Sequence, residues 1–240
     1  MSVELRPPTD SQPGVPTSAG NWYELLSVFG LTVGLPVILT IRSGHLPMME
    51  FNQARLARTL AAEAVAAILL WPMLANRGWN LTGIAGQPRV FDLARGLGVA
   101  LLAYAAGLTS VIAWYAAAAP TLQRAIAVPV ASHVSLLMVV TVCVLNPLFE
   151  EFLWLAYGFT ALNALDFRVA LLGSVFLRVL VHYYQGLLAA ILILPIGVVF
   201  TVYYARTRRL WPVIVAHAII DTIGLSHAML ASGGFRAPTG

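Results

Sequence analysis

Lysine is absent from this chain, cysteine occurs once, and charged residues make up only 10% of the 240 positions. The single Cys143 lies in the apolar run VVTVCVLNP, so no disulfide framework or thiolate metal cluster can form within one chain, and helix packing is its expected role. All fourteen basic residues are arginine and are spread over short polar connections, which argues against a nucleic-acid-binding face. No His-Glu-x-x-His zinc motif and no nucleophile elbow around Ser174 can be found. A fixed-period repeat is missing too.

What remains is apolar. Hydrophobic residues make up 59% of the chain, and its mean hydropathy is +0.82. A soluble domain of this size needs more polar surface. Crossing a hydrocarbon core about 30 Å thick takes roughly 20 apolar residues of helix, because backbone left unpaired there costs several kcal/mol. The expected fold is therefore all-α, a polytopic transmembrane bundle of seven or eight helices.

Four segments are expected along the chain. Residues 1–21 carry acids, prolines and no apolar signal core, and read as a disordered tail. Residues 22–124 hold upstream spans near Trp22 to Ile41, with Pro36 as a kink, near Thr59 to Ala75, and from Ala94 to Ala119. Between the first two, the second half of RSGHLPMMEFNQARLAR could lie as an interfacial helix or serve as a solvated connector. Residues 125–231 form a core in which the apolar stretch from Ala125 to Leu165 is too long for one crossing and is expected to break at Asn146-Pro147. Spans near Val169 to Tyr183, Leu187 to Tyr204 and Leu210 to Leu230 follow, and residues 232–240 form a second disordered tail.

With seven spans, Arg6, Arg77, Arg89, Arg95, Arg168, Arg206, Arg208 and Arg209 fall on one side, and Arg42, Arg55, Arg58, Arg124 and Arg236 on the other. The positive-inside rule then places the N-terminus in the cytoplasm. Two crossings around Asn146 would reverse everything upstream.

Ionisable side chains within a membrane are expensive and therefore informative. The main set is Glu150 and Glu151 in NPLFEEFLWLAYG, Arg178 and His182 in FLRVLVHYYQG, and His217 and Asp221 in WPVIVAHAIIDTIG. The last two pairs are each four residues apart and so share a helical face. Glu150 and Glu151 point about 100° apart, so one is expected to face a reaction centre and the other a supporting partner. A structural salt-bridge network is the competing reading, with Glu151 and Arg178 neutralising each other. His45, His133 and His227 are expected at interfaces or in packing, Glu63 near a wet span end, and Tyr183, Tyr184, Tyr203, Tyr204 and Trp211 as interfacial aromatics.

At these residues the sequence resembles the CAAX protease and bacteriocin-processing family, also called Abi or CPBP, which includes the type II CAAX prenyl proteases. That family shows Glu-Glu-x-x-x-Arg, Phe-x-x-x-His and His-x-x-x-Asn/Asp motifs, each on a transmembrane helix. They align here with Glu150-Glu151, with His182, and with His217 and Asp221. The strings VHYYQGLLAA and YYARTRRLWPVIVAHAIID extend the resemblance, which covers roughly Pro147 to Leu225. Two positions depart from the pattern: the first-motif arginine is Leu155, and the second-motif phenylalanine is Arg178. Arg178 is expected to supply the missing charge to Glu151; a member with altered or no proteolytic activity is the alternative.

The resemblance implies an intramembrane endopeptidase. Glu150 would activate a water that His182 helps to hold, and His217 and Asp221 would stabilise the oxyanion, Asp221 through orientation or as a neutral donor. It leaves open a divalent metal such as Zn²⁺, which Glu150, His182 and His217 would hold if present, or no cofactor at all. The implied partners are the lipid bilayer and a peptide or protein substrate, lipidated or otherwise membrane-bound. The compact, all-arginine chain points to a bacterial inner membrane. A small transporter or proton relay, and a non-catalytic scaffold or immunity protein, are the competing functions.

Overall fold

The computed structural model describes residues 14–16, 19, 21–42, 50–118, 130–132 and 134–231. Nearly all of residues 1–21, all of 232–240, and His45, Arg124 and His133 lie outside the described residues, so the expectations for the two tails and these side chains fall outside them as well.

Eight helical runs make up the described chain. The first, α1, begins at Trp22–Phe29, passes through a π-helical turn at Gly30–Gly34 and continues as Leu35–Arg42. The irregularity expected at Pro36 thus takes the form of a widened turn just before it. Next come α2 (Gln53–Asn76), the short α3 (Leu81–Ala85) and α4 (Phe91–Ala117). Helix α5 spans Leu136–Asn163, α6 is Phe167–Val181 with a 3-10 turn at His182–Gln185, and α7 (Leu187–Thr207) and α8 (Trp211–Ala231) complete the chain. Beside the helices lies a three-residue parallel pairing of β1 (Glu50–Asn52) with β2 (Val130–Ser132).

Local sequence sets the boundaries. Side chains of Asn21, Asn52, Ser135 and Asp166 accept backbone N–H groups at the starts of α1, α2, α5 and α6, satisfying donors that a helix start leaves open. The Asn52 cap starts α2 at Gln53, so the proposed interfacial segment is in part the first turns of a spanning helix. Gly186 enters α7 at φ 87° and ψ −179°, a backbone region only glycine occupies readily.

The expected break at Asn146-Pro147 does not occur. Helix α5 runs through Pro147 to Glu151 and only then widens into a π-helical stretch, Phe152–Phe159, before closing as Thr160–Asn163. Neighbouring helices tolerate the single backbone bond that proline removes, and the irregularity appears one turn later. Residues 119–129, which include the start of the long apolar stretch at Ala125, lie outside the described residues.

Helices α2, α4, α5 and α7 are long and apolar enough to cross a membrane, and Trp22–Ile38 is a shorter apolar helix. Helix α6 has 15 residues, a rise of roughly 22 Å at 1.5 Å per residue, short of the seven full crossings assumed for orientation. Large apolar side chains such as Leu26, Ile68, Leu101, Ile112, Leu172 and Phe176 point outward. Such a surface suits lipid.

The bundle ends are tied by polar contacts. Arg209, between α7 and α8, donates from Nε and Nη2 to the two carboxylate oxygens of Asp92 at 3.0 and 2.7 Å, and Trp211 Nε1 donates to Gly86 O at 2.7 Å. Pairing with Asp92 raises the Arg209 pKa above its ordinary value, whereas burial lowers that of Arg208, whose guanidinium sits over Phe159. At the opposite end Gln53 Oε1 accepts from Ser135 N at 3.0 Å, joining the starts of α2 and α5. Inside, α7 and α8 both pack along α4, and α8 also packs along α5. Gly96 of α4 permits this approach, since a Cβ there would lie 2.5 Å from Val215 Cγ1.

Candidate active site

The polar groups of the second half converge where α5, α6 and α8 meet. Glu151 is fully buried, and Arg178 Nη2 donates to both of its oxygens, at 2.8 and 2.7 Å. Leu155 stands one turn beyond Glu151 and is buried in the apolar core, so the cation comes from the neighbouring helix. Arg178 reaches it past Gly197 of α7, where a Cβ would lie 3.1 Å from Arg178 Cδ. The guanidinium carbon is 5.4 Å from the Trp154 ring centre and 5.3 Å from that of Phe200. Two aromatic faces and a carboxylate therefore compensate a charge that the surrounding hydrocarbon would otherwise penalise.

His217 joins the pair from α8. Its Nδ1 lies 2.6 Å from Glu151 Oε1, which fixes the ring and turns Nε2 towards Glu150 Oε2 at 3.7 Å and Asp221 Oδ1 at 3.5 Å. A carboxylate only accepts, so Nδ1 carries the hydrogen of this bond while Glu151 is ionised. Asp221 is half-buried, and its Oδ2 accepts from Asn146 Nδ2 at 3.3 Å.

Glu150 differs from its neighbour. It is buried but has no close donor: Arg178 Nη1 is 4.0 Å away, and Oε2 has no hydrogen-bond partner among the described residues. The two adjacent glutamates are thus divided into a bonded member and an open one, as their different helical directions require.

His182 closes α6. Its Nδ1 lies 2.7 Å from the Arg178 carbonyl, and its ring packs edge-on against Trp154 with centres 6.0 Å apart. A carbonyl can only accept, so Nδ1 is the donor and Nε2 of the neutral ring is left as an acceptor. The structure brings Glu150, Glu151, Arg178, His217 and Asp221 into one network. His182 borders it without a direct hydrogen bond to the other five side chains.

Three contributors were missed. Asn146 was read as a helix breaker, yet it lies one turn before Glu150 on the same face, a spacing visible in the sequence. Phe200 and Trp154 carried no local signal. Two other readings change: Tyr204 is buried in the core rather than interfacial, and Glu63 lies ten residues inside α2 with its Oε2 shielded from solvent.

The residues do not fit a resident metal. Among the described residues no three His, Cys, Asp or Glu side chains are grouped with ligand spacing. The Arg178 guanidinium lies against both glutamates, and His217 commits Nδ1 to Glu151.

The model of the Rce1-like family, described as type II CAAX prenyl endopeptidase, matches residues 132–223. That range contains all six network and bordering residues, but not Glu63. No curated protein and no solved structure gives a match.

Proposed function

We propose, from the assignment to the CPBP/CAAX protease family that residues 132–223 support, that this chain is an intramembrane endopeptidase in which Glu150 activates the hydrolytic water. The observation that carries the reading is the split between the two glutamates. Glu151 is saturated by Arg178 and His217, whereas Glu150 keeps a buried oxygen free of hydrogen bonds and turned towards His217 Nε2. A carboxylate left in that state is suited to general-base work.

The steps follow from the donors and acceptors. Glu150 takes a proton from a water that His182 Nε2 also holds as acceptor, and the resulting hydroxide attacks the peptide carbonyl carbon. The tetrahedral oxyanion lies against His217 Nε2 and Asp221. With Nδ1 donating to Glu151, Nε2 donates to the oxyanion when His217 is imidazolium, and Asp221 contributes a hydrogen bond only when neutral; ionised, it orients and stabilises His217. Glu150 then returns its proton to the amide nitrogen, the C–N bond breaks, and an acid and an amine leave. Arg178 and Glu151 hold His217 and the helix junction in register. No step passes through a metal.

The substrate is a protein or peptide in the membrane; a lipidated one fits as well as a simple apolar one. The compact, all-arginine chain is the ground for placing it in a bacterial inner membrane.

Reconstituting the full chain in liposomes with a labelled peptide library tests the reading. Glu150→Gln should lower cleavage by about 10²–10⁴-fold, the usual worth of a general base, and His182→Ala should also lower it. EDTA should leave the rate within twofold. Cleavage that survives Glu150→Gln, or ion flux without any cleavage, would sink the proposal.

A further inference from the structure

Asn146 belongs to the network, yet the steps above leave it without a role. On α5 it lies one turn before Glu150, and on α8 His217 lies one turn before Asp221, so two pairs four residues apart share the contact between these packed helices. Side-chain distances link them in a chain: Glu150 Oε2 to His217 Nε2 at 3.7 Å, His217 Nε2 to Asp221 Oδ1 at 3.5 Å, and Asn146 Nδ2 to Asp221 Oδ2 at 3.3 Å. Helix α5 closes the ring. Glu150 and His217 are buried, whereas Asn146 and Asp221 are half-buried and form its accessible edge.

Few hydrogens are free at that edge to meet an oxyanion. The one on His217 Nδ1 goes to Glu151, the one on His182 Nδ1 goes to the Arg178 carbonyl, and Arg178 Nη2 is committed to Glu151. Asp221 accepts from Asn146 with one oxygen and faces His217 Nε2 with the other, the surroundings of an ionised carboxylate, which has no hydrogen to give. His217 Nε2 brings a single hydrogen. Asn146 Nδ2 carries two, of which Asp221 takes one, and the other makes no hydrogen bond among the described residues. Arg178 Nε and Trp154 Nε1 are unpartnered too, but both residues are only 2% exposed and closed to a peptide.

We propose that Asn146 is a catalytic residue whose second Nδ2 hydrogen joins His217 Nε2 in an oxyanion hole, with ionised Asp221 as the anchor that gathers both donors. When hydroxide adds to the peptide carbonyl, the π pair moves onto oxygen and meets these two N–H groups. The amide gives up no proton, and the pair returns to form C=O as the C–N bond breaks. This oxyanion hole rests on the protease reading and names its second donor.

Cleavage by the full chain in liposomes, with the best-cleaved peptide of the library, is the first test. Asn146→Leu should lower kcat by about 10²–10³-fold, the usual worth of one such donor, with KM within threefold, and Asn146→Gln should recover part of the loss. Binding in detergent then uses two analogues of that peptide: a difluoroketone, whose hydrate is tetrahedral, and a reduced amide, with CH₂ in place of the carbonyl. Asn146→Leu should bind the difluoroketone at least thirtyfold more weakly and the reduced amide within threefold. The reduced amide also counts folded sites, so that rates refer to competent molecules. A further selective loss of difluoroketone binding should appear when Asn146→Leu is placed on Asp221→Ala, because the amide touches the oxyanion itself. A kcat within threefold of wild type, an equal loss on both analogues, or no further loss on Asp221→Ala would overturn the proposal, the last by making Asn146 a positioning residue. Cleavage that Glu150→Gln abolishes and Asn146→Leu spares would overturn this role alone; a wild type that cleaves no peptide would overturn the protease reading and this role with it.

Discussion

Two of the buried glutamates that meet helix α5 are stabilised in different ways. Glu151, on the helix itself, is held by a guanidinium and an imidazole. Glu24, on α1, packs against the π-helical stretch and accepts from two neutral donors, Trp79 Nε1 at 2.8 Å and Tyr157 OH at 3.1 Å. Neutral donors satisfy a carboxyl oxygen without fixing the group's charge. An arginine fixes both charges, and a buried ion pair that loses one member leaves the other uncompensated. The Glu24 cluster therefore reads as a joint between the upstream helices and α5, and the Glu151 cluster as the frame of the proposed reaction centre.

The largest expected effect comes from breaking the charged member. Arg178→Leu should cost about 3–5 kcal/mol, the range for stranding one partner of a buried pair, measured by denaturant unfolding in detergent, and cleavage should vanish with it. A loss under about 1 kcal/mol would mean that Glu151 is not ionised in the native state.

Moving the cation sharpens the comparison. Leu155→Arg placed on Arg178→Leu puts a guanidinium one turn after Glu151, where the family pattern has it, and should recover part of both stability and cleavage. No recovery in either assay would count against the exchange of positions between Leu155 and Arg178.

The neutral cluster should respond less. Tyr157→Phe removes one donor and leaves Trp79 in place, for an expected loss of about 1 kcal/mol with kcat unchanged. A fall in kcat without loss of stability would show that the joint is coupled to the reaction centre. The pair at the bundle end is the smallest case: Arg209 is partly exposed, and the buried Asp92 keeps Arg89 N and the nearby Arg95, so Arg209→Gln should cost up to about 1 kcal/mol, less at high salt.

These contrasts also show what could be read from the sequence. The helical class and the set Glu150, Glu151, Arg178, His182, His217 and Asp221 were legible because ionisable residues stand out in apolar runs and their four-residue spacing gives a shared face. Arg178 could be matched to Glu151 by charge count alone. The path of α5 was not legible, because proline at position 147 is a breaker in isolation and tolerable in a packed bundle. Glu63 was misplaced because its depth depends on where α2 begins, which the Asn52 cap decides eleven residues earlier. Glu24 gave no signal at all: its partners lie 55 and 133 residues away in the chain.

The π-helical stretch Phe152–Phe159 lies between Glu151 and most of what packs beyond it. A wider turn acts as a phase shifter, setting the azimuth at which Tyr157 meets Glu24 relative to the azimuth at which Glu151 meets Arg178. Regularising these residues to ordinary pitch without changing their number would turn everything beyond them by on the order of 100° about the helix axis. Either glutamate could then keep its partners, but not both, so the winding of this stretch is constrained from two sides even where its individual side chains are replaceable.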